Sequence, residues 1–442
     1  MRFVEMAGFC VTLGLSATIA VGCSVGARDE ENVAGQALEL KRHNPCPEEA
    51  RLFVPDPNPA ATEQIRSLRR AHDRKNAALV EAMVDTPQSV WLVGGTPDDV
   101  ADRVKTTMKK ARSQRAIPVF IAYNIPFRDC SGLSAGGAQN TAEYLAWIDA
   151  IARAIGRADA MVILEPDSLG IIPYHVALGG SEEWCRPADA DATTASAERY
   201  AQLNSAVDRL KQQPNVRVYL DGTHSHWLGS GDAAWRLSRA GIERADGFFL
   251  NTSNYQASER LEKYGTWVSS CLAFANNPDE GGWRVGRYDW CGSQYYPANV
   301  DDFSTWGATD DWYAANLGSA IPSTHFVIDT SRNGQGPWVP PSDAPAGDPQ
   351  DWCNPPGRGL GYRPALCSTE DGASTTSCSR TPLLEANLWL KIPGESDGQC
   401  TRWAPGGTTD PARGMEDPQA GAWFPEQVLE LVQLASPPLA RH

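Results

Sequence analysis

Short apolar runs recur along the chain at Ser89–Gly94, Ile117–Asn124, Ala160–Leu164, Val216–Leu220, Gly247–Leu250, His325–Ile328 and Ala386–Ile392, several of them rich in Val and Ile. Segments with helical spacing of their apolar positions separate many of these runs, such as Thr141–Ile155 and Ala195–Lys211. A run that is apolar throughout marks a strand buried on both faces. Strands of that kind that alternate with helices build a parallel sheet covered on its outer side. The expected fold is α/β, a distorted seven-stranded β/α barrel with a cleft or tunnel at the C-terminal ends of its strands.

The polar residues cluster where the runs end. "YNIPFRDC", "EPDS", "DGTHSHW", "NTSNY", "DTSRNG" and "KIPGESDG" each follow an apolar run. In β/α barrels the carboxyl ends of the strands carry the functional face, so this bias points to a site there rather than to solvated loops.

Ahead of the barrel, Arg2 precedes an apolar stretch from Ala7 to Val21 that ends in small residues at Gly22, Cys23, Ser24, Gly26 and Ala27. Residues 1–27 are expected to be a secretory signal peptide. Ala20-Val21-Gly22-Cys23 also resembles a lipoprotein cleavage pattern, which would leave the product anchored through an acylated Cys23. No membrane span is expected once the signal is removed. Residues 28–50 form a polar lead-in, and residues 51–442 a single catalytic domain without linker, repeat or appended module, expected to be a monomer outside the cell.

The 442 residues are 42% hydrophobic and 21% charged, a globular balance that supports a large core. A net charge of −15 argues against nucleic acid or an anionic membrane as a partner. Fifteen Trp is high; flat indoles suit stacking on sugar rings, and they also fill cores. Eleven cysteines fit an oxidising compartment. Cys10 and Cys23 belong to the leader. Plausible pairs are Cys130 with Cys185, Cys271 with Cys291, Cys353 with Cys400 and Cys367 with Cys378, which leaves Cys46 single, although spacing alone decides no connectivity. No CxxC pair occurs, so no zinc ribbon is expected.

Asp167, two residues after Glu165, reads in isolation as a turn or cap residue. Asp129, Asp221 and Asp397 stand in similar settings beyond other runs. Carboxylates that converge on one face repel, so some must hold raised pKa values. A protonated acid beside an ionised one is what cleavage of a glycosidic bond requires. Glu165, nearer the strand, is assigned to support. Two other motifs lead elsewhere. "GLSAG" at Gly132–Gly136 has the nucleophile-elbow pattern, but Ser134 lies in a Gly-rich loop eight residues past Pro126 rather than directly after a strand. "HSH" at His224–His226 could open a metal site, yet only seven His exist and His325 stands at a strand entrance. No metal and no organic cofactor is expected, and His224 is read as a hydrogen-bonding residue of the cleft.

Together "YNIPFRDCSGLSAGGA", "MVILEPDSLG", "YLDGTHSHWL", "NTSNY", "VIDTSRNGQGPW", "DWCNPPGRGLG" and "LWLKIPGESDG" resemble, in order, the blocks of glycoside hydrolase family 6, the inverting cellulases. The similarity runs from about Leu52 to Leu434. It implies a β-1,4-glucan as substrate and Asp167 as the general acid. Asp129 would be its partner, raising its pKa and linking a water chain. Asp397 would be the candidate base, and Asp221 an electrostatic and substrate support. Tyr123 would press on the distorted sugar, Trp91 and Trp227 would stack on glucose rings, with Trp389 a weaker candidate. Lys391, Glu395, His224 and Asn254 would line the sugar subsites.

Some positions depart from the family pattern. His226 stands where a small residue is usual, Ser134 and Ala135 occupy the loop that often carries a water-holding serine, and Cys271–Leu317 is longer than in compact endoglucanases. That stretch would either roof the cleft or decorate the barrel. The resemblance implies an endoglucanase first and a cellobiohydrolase second. A non-catalytic glucan-binding protein is the alternative from another class, disfavoured because all four Asp are present.

Overall fold

The computed structural model describes residues 51–130, 132–342, 344, 350–367, 381–402, 404 and 406–439. The expected signal and lead-in, Cys46 and Cys378 lie outside these.

Seven parallel strands form in sequence order: β1 (Val90–Val93), β2 (Val119–Tyr123), β3 (Ala160–Leu164), β4 (Val216–Asp221), β5 (Gly247–Leu250), β6 (His325–Asp329) and β7 (Leu384–Leu388). A two-residue antiparallel strand, Ala365–Leu366, edges β7. The apolar runs become these strands because both faces are covered. Val119, Ile121, Tyr123, Met161, Ile163, Tyr219, Phe249, Val327, Ala386 and Leu388 fill the interior. Their neighbours one residue away, such as Phe120, Val162, Leu164, Val218, Leu220 and Phe248, meet the helices outside.

The barrel closes at a seam and not by a ladder. Ser89 N donates to the Trp389 carbonyl at 3.1 Å. Ser89 Oγ and Trp91 Nε1 both donate to the Leu390 carbonyl, the latter at 2.9 Å. Helices α1 (Pro59–Arg70) and α2 (Arg74–Val84) cover this side. On the other strands α3 (Pro97–Gln114) starts from a Thr96/Asp99 capping box with Pro97 in the first turn. Next, α4 (Thr141–Ile155) buries Tyr144, Trp147, Ile148, Ile151 and Ile155, the stripe that its sequence spacing predicts. The outer layer continues with α5 (Ala195–Leu210), α6 (Ser230–Arg239), α7 (Ser258–Ala275) and α8 (Gly307–Asn316); α9 (Pro425–Gln433) returns to the seam. No described helix is long and apolar enough to cross a membrane.

Two expectations change. The last apolar run leaves the sheet at Leu388, and Trp389 turns out of the barrel into a cluster with Val80, Leu360, Val428 and Leu431. Its ring is 1% exposed and its Nε1 donates to the Tyr362 carbonyl at 2.9 Å, so it is a core residue and cannot stack on a sugar. The run at Ile117–Asn124 is divided by Pro118. Ala116–Ile117 pairs with Arg51–Leu52, and only Val119–Tyr123 enters the barrel.

Three expected disulfides form, Cys130–Cys185, Cys271–Cys291 and Cys353–Cys400. Each restricts the unfolded chain, a contribution on the order of 3–4 kcal/mol. Trp389→Ala should lower stability by about 3–5 kcal/mol, read as an earlier denaturant midpoint. Weakened glucan binding with an unchanged midpoint would place Trp389 in the cleft instead.

Candidate active site

The strand exits carry a concentration of backbone strain. Phe127, Asp129, Glu165, Asp167, Thr223, Asn251 and Ser253 all have φ between 53° and 70°, a region that L residues enter reluctantly. Such turns expose backbone N–H groups that cannot join the sheet, and each buried N–H needs an acceptor. Carboxylates supply it. Glu165, fully buried, accepts from Asn124 N and Ile125 N at 2.8 and 3.0 Å. In the fold Glu165 thus serves as a backbone acceptor. Burial, partly offset by these bonds, raises its pKa to about 7.

Asp221 does the same for the loop that follows Asp167. Its Oδ2 accepts from Leu169 N and Gly170 N at 3.1 and 3.3 Å, and its Oδ1 from Thr223 N at 2.9 Å. The loop carbonyls are held from outside. Arg199 Nη1 donates to Ser168 O and Ile171 O, both at 2.9 Å, and its Nη2 donates to Pro126 O at 2.8 Å. Arg236 Nη1 reaches Leu169 O at 2.8 Å. Arg199 therefore ties the Asp167 loop to the start of the Asp129 loop. Burial lowers its pKa only to about 10, so it remains a cation at neutral pH.

On the opposite side, Asp397 is fixed by the Arg332 fork, Nη1–Oδ2 at 2.8 Å and Nη2–Oδ1 at 2.9 Å. Tyr255 OH and Asn354 N donate to its Oδ2 at 3.1 and 3.0 Å, and Lys391 Nζ stands 3.5 Å from Oδ1. Burial alone would raise its pKa, but Arg332, Lys391 and these hydrogen bonds outweigh it and hold Asp397 below the usual carboxylate range. Asp329 accepts from Ser253, Ser331, Leu390 and Lys391 N–H groups and so joins the exits of β5, β6 and β7.

Asp167 has a pKa raised well above the ordinary value. Burial is the largest cause, followed by the charges of Asp221, Asp129 and Asp397. The other three aspartates expected from the sequence thus all act on Asp167. Asp129, half-buried, accepts from Ser134 N at 2.6 Å; burial raises its pKa against the opposing effects of that bond and of Arg128.

The binding candidates fall around this centre. Tyr123 is buried beside Asp167 and Asp129, under the Arg128 guanidinium at 4.6 Å and edge-on to Trp91 at 5.4 Å. Trp227 lies over Gly170, where an added Cβ would meet its ring at 2.4 Å, and against Ile171 and the Cys130–Cys185 disulfide. His224 sits 5.6 Å from that ring. Its Nδ1 accepts from His226 N at 3.2 Å, which leaves Nε2 to donate, and burial, then His226, lower its pKa to about 3, so it is neutral. Lys391 Nζ donates to Ser396 O at 3.1 Å, and Glu395 faces Asn58 at 3.4 Å. Asn254 is half-buried and its side chain bonds locally to Thr252 O at 3.2 Å.

Arg199, Arg236, Arg332, Asp329, Tyr255 and Asn354 were missed by the sequence reading. Arg332 and Asp329 stood within "DTSRNG", Tyr255 within "NTSNY" and Asn354 within "DWCNPPGRGLG", whereas Arg199 and Arg236 carried no signal. Behind the site, Cys400, Asp410 and Asp417 present donor atoms within 4.8 Å of one another. The Cys400 sulfur is taken by its disulfide and Asp410 by Arg402 at 2.7 Å, so the group does not fit a metal. Burial, then the Asp410 charge, raises Asp417 to about 7.

An α/β barrel that gathers carboxyl groups of opposed acidity at its strand exits is the equipment of a glycoside hydrolase. Residues 47–435 match the profile of the glycosyl hydrolases family 6, and the chain belongs to that family. It is 30% identical over 364 residues to endoglucanase A of Cellulomonas fimi, across 81% of this chain and 56% of that one, little more than half of the relative's length. A probable 1,4-β-D-glucan cellobiohydrolase C of Aspergillus fumigatus is 30% identical over 391 residues, 80% of this chain and 70% of the other. Among solved structures, the endoglucanase Cel6 from Mycobacterium tuberculosis, in complex with methyl-cellobiosyl-4-deoxy-4-thio-β-D-cellobioside, aligns with a TM-score of 0.59 at 30% identity, over 87% of this chain and 97% of that one.

The raised carboxyls also set a pH dependence of stability. Glu165 and Asp417 at about 7 and Asp221 at about 6 bind protons in the native chain that the unfolded chain has already released. Taken alone, these three groups lower stability as pH rises from about 4.5 to about 7, while His224 and His175, lowered by burial to about 3 and about 4, oppose them below the ordinary histidine value of about 6.5. Asp397 acts with the opposite sign, below its ordinary range. Comparison with Glu165→Gln isolates one carboxyl: the calorimetric melting temperature of the wild type relative to the variant should fall as pH rises from about 4.5 to about 7, and a relative rise would contradict the raised pKa of Glu165.

Proposed function

We propose that the protein is an exported hydrolase that cleaves β-1,4-glucosidic bonds of cellulose-like glucans with inversion of configuration. The observation that carries this reading is the placement of Asp129, Asp221 and Asp397 around Asp167 at the strand exits, close enough for each of their charges to favour a proton on Asp167. Asp167 protonates the glycosidic oxygen as the bond breaks. Its raised pKa keeps the carboxyl protonated until the bond breaks, and the far greater basicity of the leaving alkoxide then draws the proton across. Inversion then needs a water on the far face of the sugar.

Asp397 is a weak base in this setting. Its lone pairs are engaged by Arg332, Tyr255 and Asn354, and its pKa is depressed. Its negative charge suits stabilisation of the developing oxocarbenium ion. Asp129, with a raised pKa and partial access to solvent, is better suited to receive a proton from that water, directly or through a second water near Ser134. Tyr123 supports the distorted sugar, and Trp227 and Trp91 supply stacking faces. The chemistry uses carboxyl groups and water.

An endoglucanase is the leading subtype, supported by the endoglucanase relatives and by the thio-linked cello-oligosaccharide analogue bound to one of them. A cellobiohydrolase is the second reading, and one contact favours it. Leu133, on the loop after β2, lies so close to Gly398, on the loop after β7, that a Cβ on Gly398 would meet Leu133 Cδ1 at 2.7 Å. Two exit loops that touch in this way could cover a bound chain.

Purified protein acting on carboxymethyl cellulose should lose viscosity early relative to reducing-sugar release; sugar release with little viscosity loss would select the exo reading. Asp167→Ala should lower kcat by about a hundredfold to ten-thousandfold on substrates with poor leaving groups. Near-normal turnover would remove Asp167 as the acid. On cello-oligosaccharides the first-formed anomer should be α by NMR, and a β product would contradict inversion.

A further inference from the structure

The long segment between α7 and α8 packs on α6 and α7 through Tyr288–Trp290 and also reaches a loop at the strand exits. The Cys271–Cys291 disulfide ties it to α7, and beyond Cys291 the stretch Gly292–Pro297 lies against the loop carrying Trp227. Ser230 Oγ donates to Gly292 O at 2.6 Å, and Gln294, fully buried, donates from Nε2 to Leu228 O at 2.8 Å. Thr309 Oγ1 and Tyr313 OH hold Ser293 O and Gly292 O at 2.8 and 2.9 Å. Within the turn, Ser293 N donates to Tyr296 O at 2.7 Å, and Ser293 Oγ accepts from Tyr295 N and Tyr296 N. The backbone is therefore fixed on both sides of two tyrosines.

Those tyrosines are not buried by this anchoring. Tyr295 is 46% exposed and Tyr296 78%, the most open of the exposed large aromatic residues described. Tyr295 OH donates to the Trp227 carbonyl at 2.9 Å, which makes the pair continuous with Trp227 and, through Gly170, with the Asp167 loop. A rigid turn that presents two aromatic rings to solvent loses little conformational entropy when a ligand covers them. Tyrosine offers an apolar face for pyranose C–H groups and a hydroxyl for sugar hydroxyls. The net charge of −15 disfavours an anionic polymer and is indifferent to a neutral glucan.

We propose that Tyr295 and Tyr296 form an additional sugar-binding platform that extends the cleft beyond Trp227 and takes a neutral β-1,4-glucan chain. The platform rests on the glucanase reading above and deepens it. The other exposed aromatic pair of the same segment, Trp283 and Trp290, does not serve in this way. Its rings stand at 63° to each other, and each is already faced by a guanidinium, Arg284 and Arg287 respectively, at 4.5 Å.

The test is the dependence of kcat/KM on chain length, measured on purified full-length protein with cellotetraose and cellohexaose. In Tyr296→Ala, and further in the Tyr295→Ala/Tyr296→Ala double variant, the cellohexaose-to-cellotetraose ratio should fall by roughly threefold to tenfold. Tyr296→Phe should retain the ratio, because the ring face carries the contact. Circular-dichroism melting of each variant separates loss of fold from loss of the platform. An unchanged ratio in the correctly folded double variant overturns the platform and leaves the glucanase reading standing. A wild type that cleaves no cello-oligosaccharide refutes the glucanase reading, and the platform with it.

Discussion

Everything at the functional face depends on buried carboxylates that accept backbone N–H groups. A β/α barrel delivers its strands to one rim, where each chain must turn sharply and leave N–H groups without a sheet partner. Glu165, Asp221 and Asp329 supply the missing acceptors at the exits of β3, β4 and β6. Arg199 and Arg236 hold the carbonyls of the same loops. The loops are thereby rigid without forming regular structure, and the strained φ values at Asp129, Glu165 and Asp167 are kept in place.

The same burial that makes these hydrogen bonds strong makes charge expensive. Most of the rim carboxyls respond with raised pKa values. Asp397 is the exception, because the Arg332 fork and Lys391 more than offset its burial. The surroundings thus favour the ionised form of Asp397 and the protonated form of Asp167. Two groups of identical chemistry acquire opposite protonation from their surroundings alone.

Much of this was legible in the sequence. The strand runs at Ala160–Leu164 and Gly247–Leu250 and the helix at Thr141–Ile155 coincide with the observed elements, because both faces of a strand and one stripe of a helix are written in local apolar spacing. The aspartates were recognisable as residues beyond those runs. What could not be read were partners fixed by the tertiary fold. Arg199 lies in the middle of α5, where it looks like a solvated charge, yet it is 2% exposed and reaches three carbonyls of two other loops. Trp389 continued an apolar run that the sheet abandons one residue earlier, and only packing of α2 and α9 shows that it faces outward. The Cys271–Leu317 segment gave no indication of where it folds, since its anchors at Leu228 and Ser230 are distant in sequence.

The most direct test of the central electrostatic claim is the titration of the Asp167 carboxyl itself. Its 13C signal, assigned by difference between the wild type and Asp167→Asn, should titrate well above the ordinary aspartate value of about 3.9. It should also move down when Asp129 is replaced by Asn, which removes one of the surrounding charges. A midpoint near the ordinary value, unchanged in Asp129→Asn, would contradict the account.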